Sequence, residues 1–271
     1  MSIVIDKSFL DGASTDKVKR LCEENKVLFS ESLFFELLTT SEHSQKRCFS
    51  KLPEGPNPVK LIPNVGTLLR YEIENQEKCT PLVRHALVDD FQFNERLRQG
   101  TYVAEGDVLQ SLAEWKNQVK ADTEDFLVRC NIVHQFFPEL NGIKYKNLPA
   151  AIGEARVRIA ENHELVREIY SSFLDENAPP DAPAPELIDP GWAFFRWVQC
   201  QLISALRMFG KYQGQIELPA SEGIFTRAEH TMHDIYYTIL AALSGSLATG
   251  DQEIIEDFCL ICPEGVLIIK G

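Results

Sequence analysis

Short apolar runs and amphipathic stretches alternate through the first part of the chain: "SIVID", "STDKVKRLCEEN", "KVLFS", "ESLFFELLTT", "NPVKLIPN", "VGTLLRYEIENQ". The apolar runs read as strands, and the stretches with apolar residues three and four apart read as helices. The order is β-α-β-α-β-α. Each return to a parallel strand needs a crossover that lies over the sheet, so this order implies a parallel sheet with helices on its faces. Ser14 or Thr15 is the expected N-cap of the first of these helices.

The alternation stops near residue 78. From there to about 218 the strand signal almost vanishes. "GDVLQSLAEWKNQVKADTEDFLVRCNIVHQFF" and "AAIGEARVRIAENHELVREIYSSFLDEN" carry helical periodicity, "APPDAPAPELIDP" is a proline-rich connector, and "GWAFFRWVQCQLISALRMFGKY" is a further apolar helix. The α/β pattern then resumes. "RAEHTMHDIYYTILAALSG" reads as a helix, "SLAT" as a strand, "GDQEIIEDF" as a helix start, "CLICP" as a strand, and "EGVLIIKG" closes the chain. The simplest organisation is an α/β domain of residues 1–77 and 219–271, interrupted by a helical insertion at 78–218.

A chain of 271 residues can bury a substantial core, and its 44% hydrophobic content is that of an ordinary globular protein. The most apolar stretch, "WAFFRWVQCQLISALRMF", contains two arginines and two glutamines, so it reads as a packed helix and not a membrane span. "MSIVIDKSFL" has neither a basic lead nor a cleavage site, which gives a cytoplasmic location as the default expectation. The seven cysteines need no disulfides in a reducing compartment. Cys259 and Cys262 have CxxC spacing without a second pair, which favours buried cysteines over zinc or redox use. The net charge of −13 argues against a protein that coats nucleic acid, but not against an enzyme that meets phosphate through metal ions.

Four acids stand out: Asp6 at the end of the first strand, Glu36 in the second helix, Asp234 ahead of the small-residue run "ILAALSG", and Asp251 in the Thr-Gly-Asp turn after "SLAT". The carboxyl ends of the strands of an open α/β sheet line a common crevice where ligands bind, and Asp6 and Asp251 should both reach it. Clustered carboxylates raise one another's pKa unless a cation neutralises them. A hard divalent cation, Mg²⁺ or Mn²⁺, takes oxygen ligands and leaves room for phosphate. Taken singly, each acid also has an ordinary reading, as a helix cap, a first-turn acid or a surface group.

The pieces "IVIDKSFL", "VLFSESLFFELL" and "HDIYYTILAALSGSLATGDQEI" with "FCLICPEGVLI" together resemble the PIN-domain family of nucleases. The resemblance covers roughly residues 1–75 and 220–271. It implies a three-layer α/β/α fold with a central parallel sheet, here interrupted by the helical insertion. It also implies that Asp6, Glu36, Asp234 and Asp251 hold Mg²⁺ or Mn²⁺, with Ser8 and Thr249 supporting them. The implied activity is phosphodiester hydrolysis on a nucleic-acid substrate, RNA more than DNA. An inhibitor protein or a homo-oligomer stays open as a partner, and no membrane is expected. The alternative is a PIN-like binding or scaffold protein that acts through its insertion.

Weaker signals have ordinary readings. His230 and His233 form HxxH without further zinc ligands. Arg156, Arg158 and Arg167 read as a solvated helix face, and Trp192, Phe194, Phe195 and Trp197 as core. There is no GxGxxG, Walker A or GxSxG motif.

Overall fold

The sheet is built outward from β1 (Ser2–Ile5), which pairs in parallel with β2 (Lys26–Ser30) on one side and β4 (Ser246–Thr249) on the other. β3 (Lys60–Ile62) extends the sheet beyond β2, and β5 (Val266–Ile269) extends it beyond β4. The spatial order is therefore β3-β2-β1-β4-β5, with every pairing parallel. The computed structural model describes residues 1–55, 57–84, 93–174 and 181–270, except the side chains of 83 and 84. Part of the expected proline-rich connector and the end of the helical stretch before it, residues 175–180, lie outside the described residues.

Helices fill the intervals. The first are α1 (Lys7–Gly12), α2 (Thr15–Glu24), α3 (Glu31–Thr39), α4 (Glu42–Phe49), α5 (Val65–Asn75), α6 (Pro81–Arg84) and α7 (Glu95–Gln99). There follow α8 (Gly106–Ile132), α9 (Leu148–Glu161), α10 (His163–Phe173), α11 (Ala193–Tyr212), α12 (Glu222–Ser244) and α13 (Gln252–Ile261). No helix among the described residues is long and apolar enough to cross a membrane.

The chain forms two compact units. One comprises Met1–Leu68, Cys79–Lys116 and Tyr236–Gly271; the other comprises Leu69–Lys78 and Asn117–Ile235. The first contains the sheet. The second is helical, with no strand among its described residues.

In the first unit the central strands are apolar through their middles, because both faces of a parallel sheet are covered. Ile3, Val4, Ile5, Leu28, Phe29, Leu247 and Ala248 have no exposed surface. Full burial of each large side chain among them contributes about 1.5–3 kcal/mol. The register sets Val4 opposite Leu247 and Ile5 opposite Ala248, so the next residue of each strand, Asp6 and Thr249, arrive side by side. Both outer strands are short, and Val266 and Ile269 of β5 are exposed.

Two local assignments differ from the sequence reading. "CLICP" is not a strand. Ile254, Phe258 and Ile261 are buried at helical spacing, so α13 continues through Ile261 and the strand is "VLII". Asp234 is not at the head of a helix: α12 begins at Glu222, which puts Asp234 near its middle, away from the favourable first turn. The short helix α1 was also hidden in "KSFLDG", directly after the first strand.

In the second unit α11 has buried residues on nearly every side, including Phe195, Val198, Leu202, Ile203 and Leu206. Trp192 has no capping side chain of its own. Glu72 of α5 takes that role from a distance: its Oε1 accepts from Ala193 N at 2.7 Å and its Oε2 from Phe194 N at 3.0 Å. A fully buried carboxylate thus satisfies two of the helix's orphan amides and faces the positive end of its dipole.

Candidate functional site

The strand order reverses direction at β1. From β1 the chain steps to β2 and β3 on one side, and returns to β4 and β5 on the other. In such a sheet the crevice outside the carboxyl ends of the two diverging strands is where ligands bind. Asp6 follows β1 and Thr249 ends β4, so both stand at this switch point.

Asp6 is almost fully buried. Its Oδ1 accepts from Phe9 N at 2.8 Å, which caps α1. Its Oδ2 accepts from Thr249 Oγ1 at 2.6 Å and from Ser8 Oγ at 2.7 Å. Each hydroxyl has one proton and gives it to Asp6, so the 3.2 Å contact between Ser8 Oγ and Thr249 Oγ1 is a shared approach to one acceptor, not a third bond. Both hydroxyls also accept: Ser8 Oγ from Gly250 N at 2.8 Å, and Thr249 Oγ1 from Asp251 N at 3.0 Å. The Thr-Gly-Asp turn is therefore tied to Asp6 through two side chains.

Burial pushes the Asp6 carboxyl up, the three hydrogen bonds pull it down, and the nearby negative charge of Glu36 pushes it up again; the outcome is a pKa of about 6. The hydrogen bonds favour the ionised form, yet desolvation wins.

Glu36 projects from α3, which follows β2 beside β1. Both its oxygens are engaged. Lys7 Nζ donates to Oε1 at 3.2 Å, and Tyr237 OH donates to Oε2 at 2.6 Å. Asp251 is the N-cap of α13: its Oδ1 accepts from Glu253 N at 2.8 Å and from Ile254 N at 3.3 Å. The cap uses one oxygen only, and Oδ2 accepts no hydrogen bond among the described residues. The cap reading of Asp251 is thus realised in the geometry, and it leaves a carboxylate oxygen over.

The structure brings Asp6, Ser8, Thr249 and the Asp251 backbone into one hydrogen-bonded cluster, with Glu36 close enough to raise Asp6. Asp234 belongs to the other compact unit and is partly exposed on α12, one turn before Tyr237. Among the described residues no three His, Cys, Asp or Glu side chains already stand together as a set able to hold an ion. The donor atoms these acids present are carboxylate oxygens, the kind a hard divalent cation takes, and the Lys7 ammonium places one positive charge on Glu36.

Three contributors were not singled out from the sequence. Lys7 was visible beside Asp6, but its direction was not. Tyr237 lies on the far part of the chain from Glu36. Lys270 donates its backbone N–H to Thr249 O, and the far end of its side chain lies over Gly12 and Gly250.

The weaker signals resolve locally. His230 is exposed and His233 buried. Cys259 is exposed on α13, Cys262 is its C-cap, and no disulfide links cysteines among the described residues. Arg158 pairs with Glu139 and lies over the Phe137 ring; Arg167 pairs with Glu164 and donates to Ile188 O. Trp192 and Phe195 are buried, as core packing requires.

No family model, no curated protein and no solved structure matches the chain.

Proposed function

We propose that the chain is a PIN-like nuclease that uses Mg²⁺ or Mn²⁺ to hydrolyse phosphodiester bonds, in RNA more than in DNA. The observation that carries the reading is Asp6: a buried acid at the switch point of a parallel sheet, clamped by the hydroxyls of Ser8 and Thr249 from the two flanking segments. An acid held there at the cost of desolvation needs a use that an ordinary cap does not. The preference for RNA comes from the resemblance to the PIN family alone.

Asp6, Glu36 and Asp251 would hold the ion, and the resemblance alone adds Asp234. When bound, the ion supplies the Lewis acidity that phosphodiester hydrolysis requires. Ser8 and Thr249 orient the Asp6 carboxylate and favour its charged form. Asp251 holds the start of α13 with one oxygen and offers the other. The Lys270 stem over Gly250 keeps a positive charge near the turn of a strongly acidic chain, where an anionic substrate gains from it.

Mn²⁺ titration followed by calorimetry, and an assay on labelled single-stranded RNA and DNA, tests the reading. The wild type should bind Mn²⁺ and cut RNA, and Asp6→Asn should do neither. Failure of the wild type to bind Mn²⁺ would overturn it.

A second reading rests on the Lys7–Glu36 pair. A site whose acid is already neutralised by a lysine also suits a PIN-like scaffold without catalysis. Mn²⁺ binding with no cleavage of either nucleic acid would favour that reading.

A further inference from the structure

We propose that Lys7 is a built-in counter-cation of the acidic site, which a divalent ion must displace from Glu36 in order to bind. The proposal rests on the metal reading above and adds a regulator to it.

Glu36 has no idle oxygen. Lys7 Nζ stands 3.2 Å from Oε1, and the Tyr237 hydroxyl stands 2.6 Å from Oε2. The tyrosine bond can coexist with an ion, because each carboxylate oxygen has two lone pairs and a hydroxyl brings no full charge. The ammonium cannot coexist so easily. A second full positive charge against the same carboxylate repels it, and the site is sheltered enough for that repulsion to count.

The position of Lys7 fits the role of a displaceable occupant. It directly follows Asp6 and is the first residue of α1, so the clamp on Asp6 fixes its backbone beside the acids. Its side chain keeps 26% of its surface exposed, so the ammonium has a path into solvent along its flexible stem. The first turn of a helix is also the less favourable place for a cation, which makes release easier. Lys7 therefore holds a metal-free site in a tolerable charge state and raises the ion concentration at which it fills.

Titration of the full chain with MnCl₂ by calorimetry, alongside metal-free melting curves, tests this. Lys7→Met should bind Mn²⁺ about three- to tenfold more tightly than wild type, the range expected for losing a half-sheltered ion-pair competitor. Its metal-free melting temperature should fall and its Mn²⁺-induced rise should grow. Lys7→Arg, which keeps the charge, should bind as wild type does. Lys7→Gln, which can still reach Glu36 by a hydrogen bond, gives the same comparison with less disturbance of folding. Wild-type binding of Mn²⁺ with equal or weaker binding by both neutral variants would overturn the proposal and leave the metal reading standing. If neither wild type nor the neutral variants bind Mn²⁺ at millimolar concentration, the metal reading fails and this proposal falls with it.

Discussion

The Thr249 hydroxyl donates to Asp6 Oδ2 across 2.6 Å, although 243 residues separate them in the chain. Thr249 Oγ1 itself accepts from the backbone N–H of Asp251 at 3.0 Å. One threonine therefore orients an acid on β1's end and the turn after β4 together. Thr249→Val keeps the shape but removes both bonds, leaving a buried carboxylate short of a donor. Urea unfolding should show a loss of about 1–3 kcal/mol, with Thr249→Ser recovering most of it. A loss within error would mean that the clamp contributes little to the fold.

The pKa of Asp6 makes a prediction with a definite sign. It is raised from 3.8 in the unfolded chain to about 6 in the folded one. Between these values the native state binds the proton more tightly than the unfolded state does. Stability from this group is therefore greatest below pH 3.8, declines as pH rises toward 6, and is flat above that. The full span is about 3 kcal/mol, from 1.36 kcal/mol per unit. In chelator-containing buffer, the difference in unfolding free energy between wild type and Asp6→Asn should shift by that order between pH 4 and pH 7, in the direction of wild-type loss. Mn²⁺ competes with the proton, so its binding should weaken as pH falls below about 6. A pH-independent difference would mean that Asp6 has an ordinary pKa.

Asp251 separates two roles in one side chain. Asn caps a helix about as well as Asp does, whereas Ala costs about 1 kcal/mol. Asp251→Asn should therefore melt near the metal-free wild type, and Asp251→Ala below it. Both should lose most of the Mn²⁺-induced rise, which for wild type is about 2.7 kcal/mol at a free concentration 100 times the dissociation constant. An undiminished rise in Asp251→Asn would confine Asp251 to capping.

Glu72 is predicted to be the most sensitive acid of the helical unit. Glu72→Ala strands the amides of Ala193 and Phe194 at a buried helix start, which should cost about 2–3 kcal/mol. Glu72→Gln keeps one acceptor oxygen and should cost less. Chemical denaturation with far-ultraviolet circular dichroism measures both.

How much of this was legible in the sequence depends on the range of the interaction. β1, β2 and β4 are written in their short apolar runs, because a strand covered on both faces is apolar at consecutive positions. The strand at β5 was not, since "CLICP" and "VLII" are both short apolar runs and only burial tells helix from strand there. The first and last acids of the motif could be ordered because each follows a strand. The partnership of Asp6 with Thr249 then follows from register. Lys7 on Glu36, Tyr237 on Glu36 and Glu72 on α11 could not be read. Each depends on how two distant elements approach, and no local pattern records that.

The interleaved strand order has a consequence for how the protein comes into being. The ribosome releases β1, β2 and β3 early, but the neighbour on β1's other side is made only when residues 246–249 emerge. Until then the central strand of the sheet has one bare edge, through the whole time needed to make the helical unit. Pairings of such long range close slowly, and an unprotected central strand invites aggregation. Asp6 spends that interval without Thr249. A nascent chain of this kind is expected to need shielding at β1, and to gain its acidic centre only once residues 246–251 have emerged.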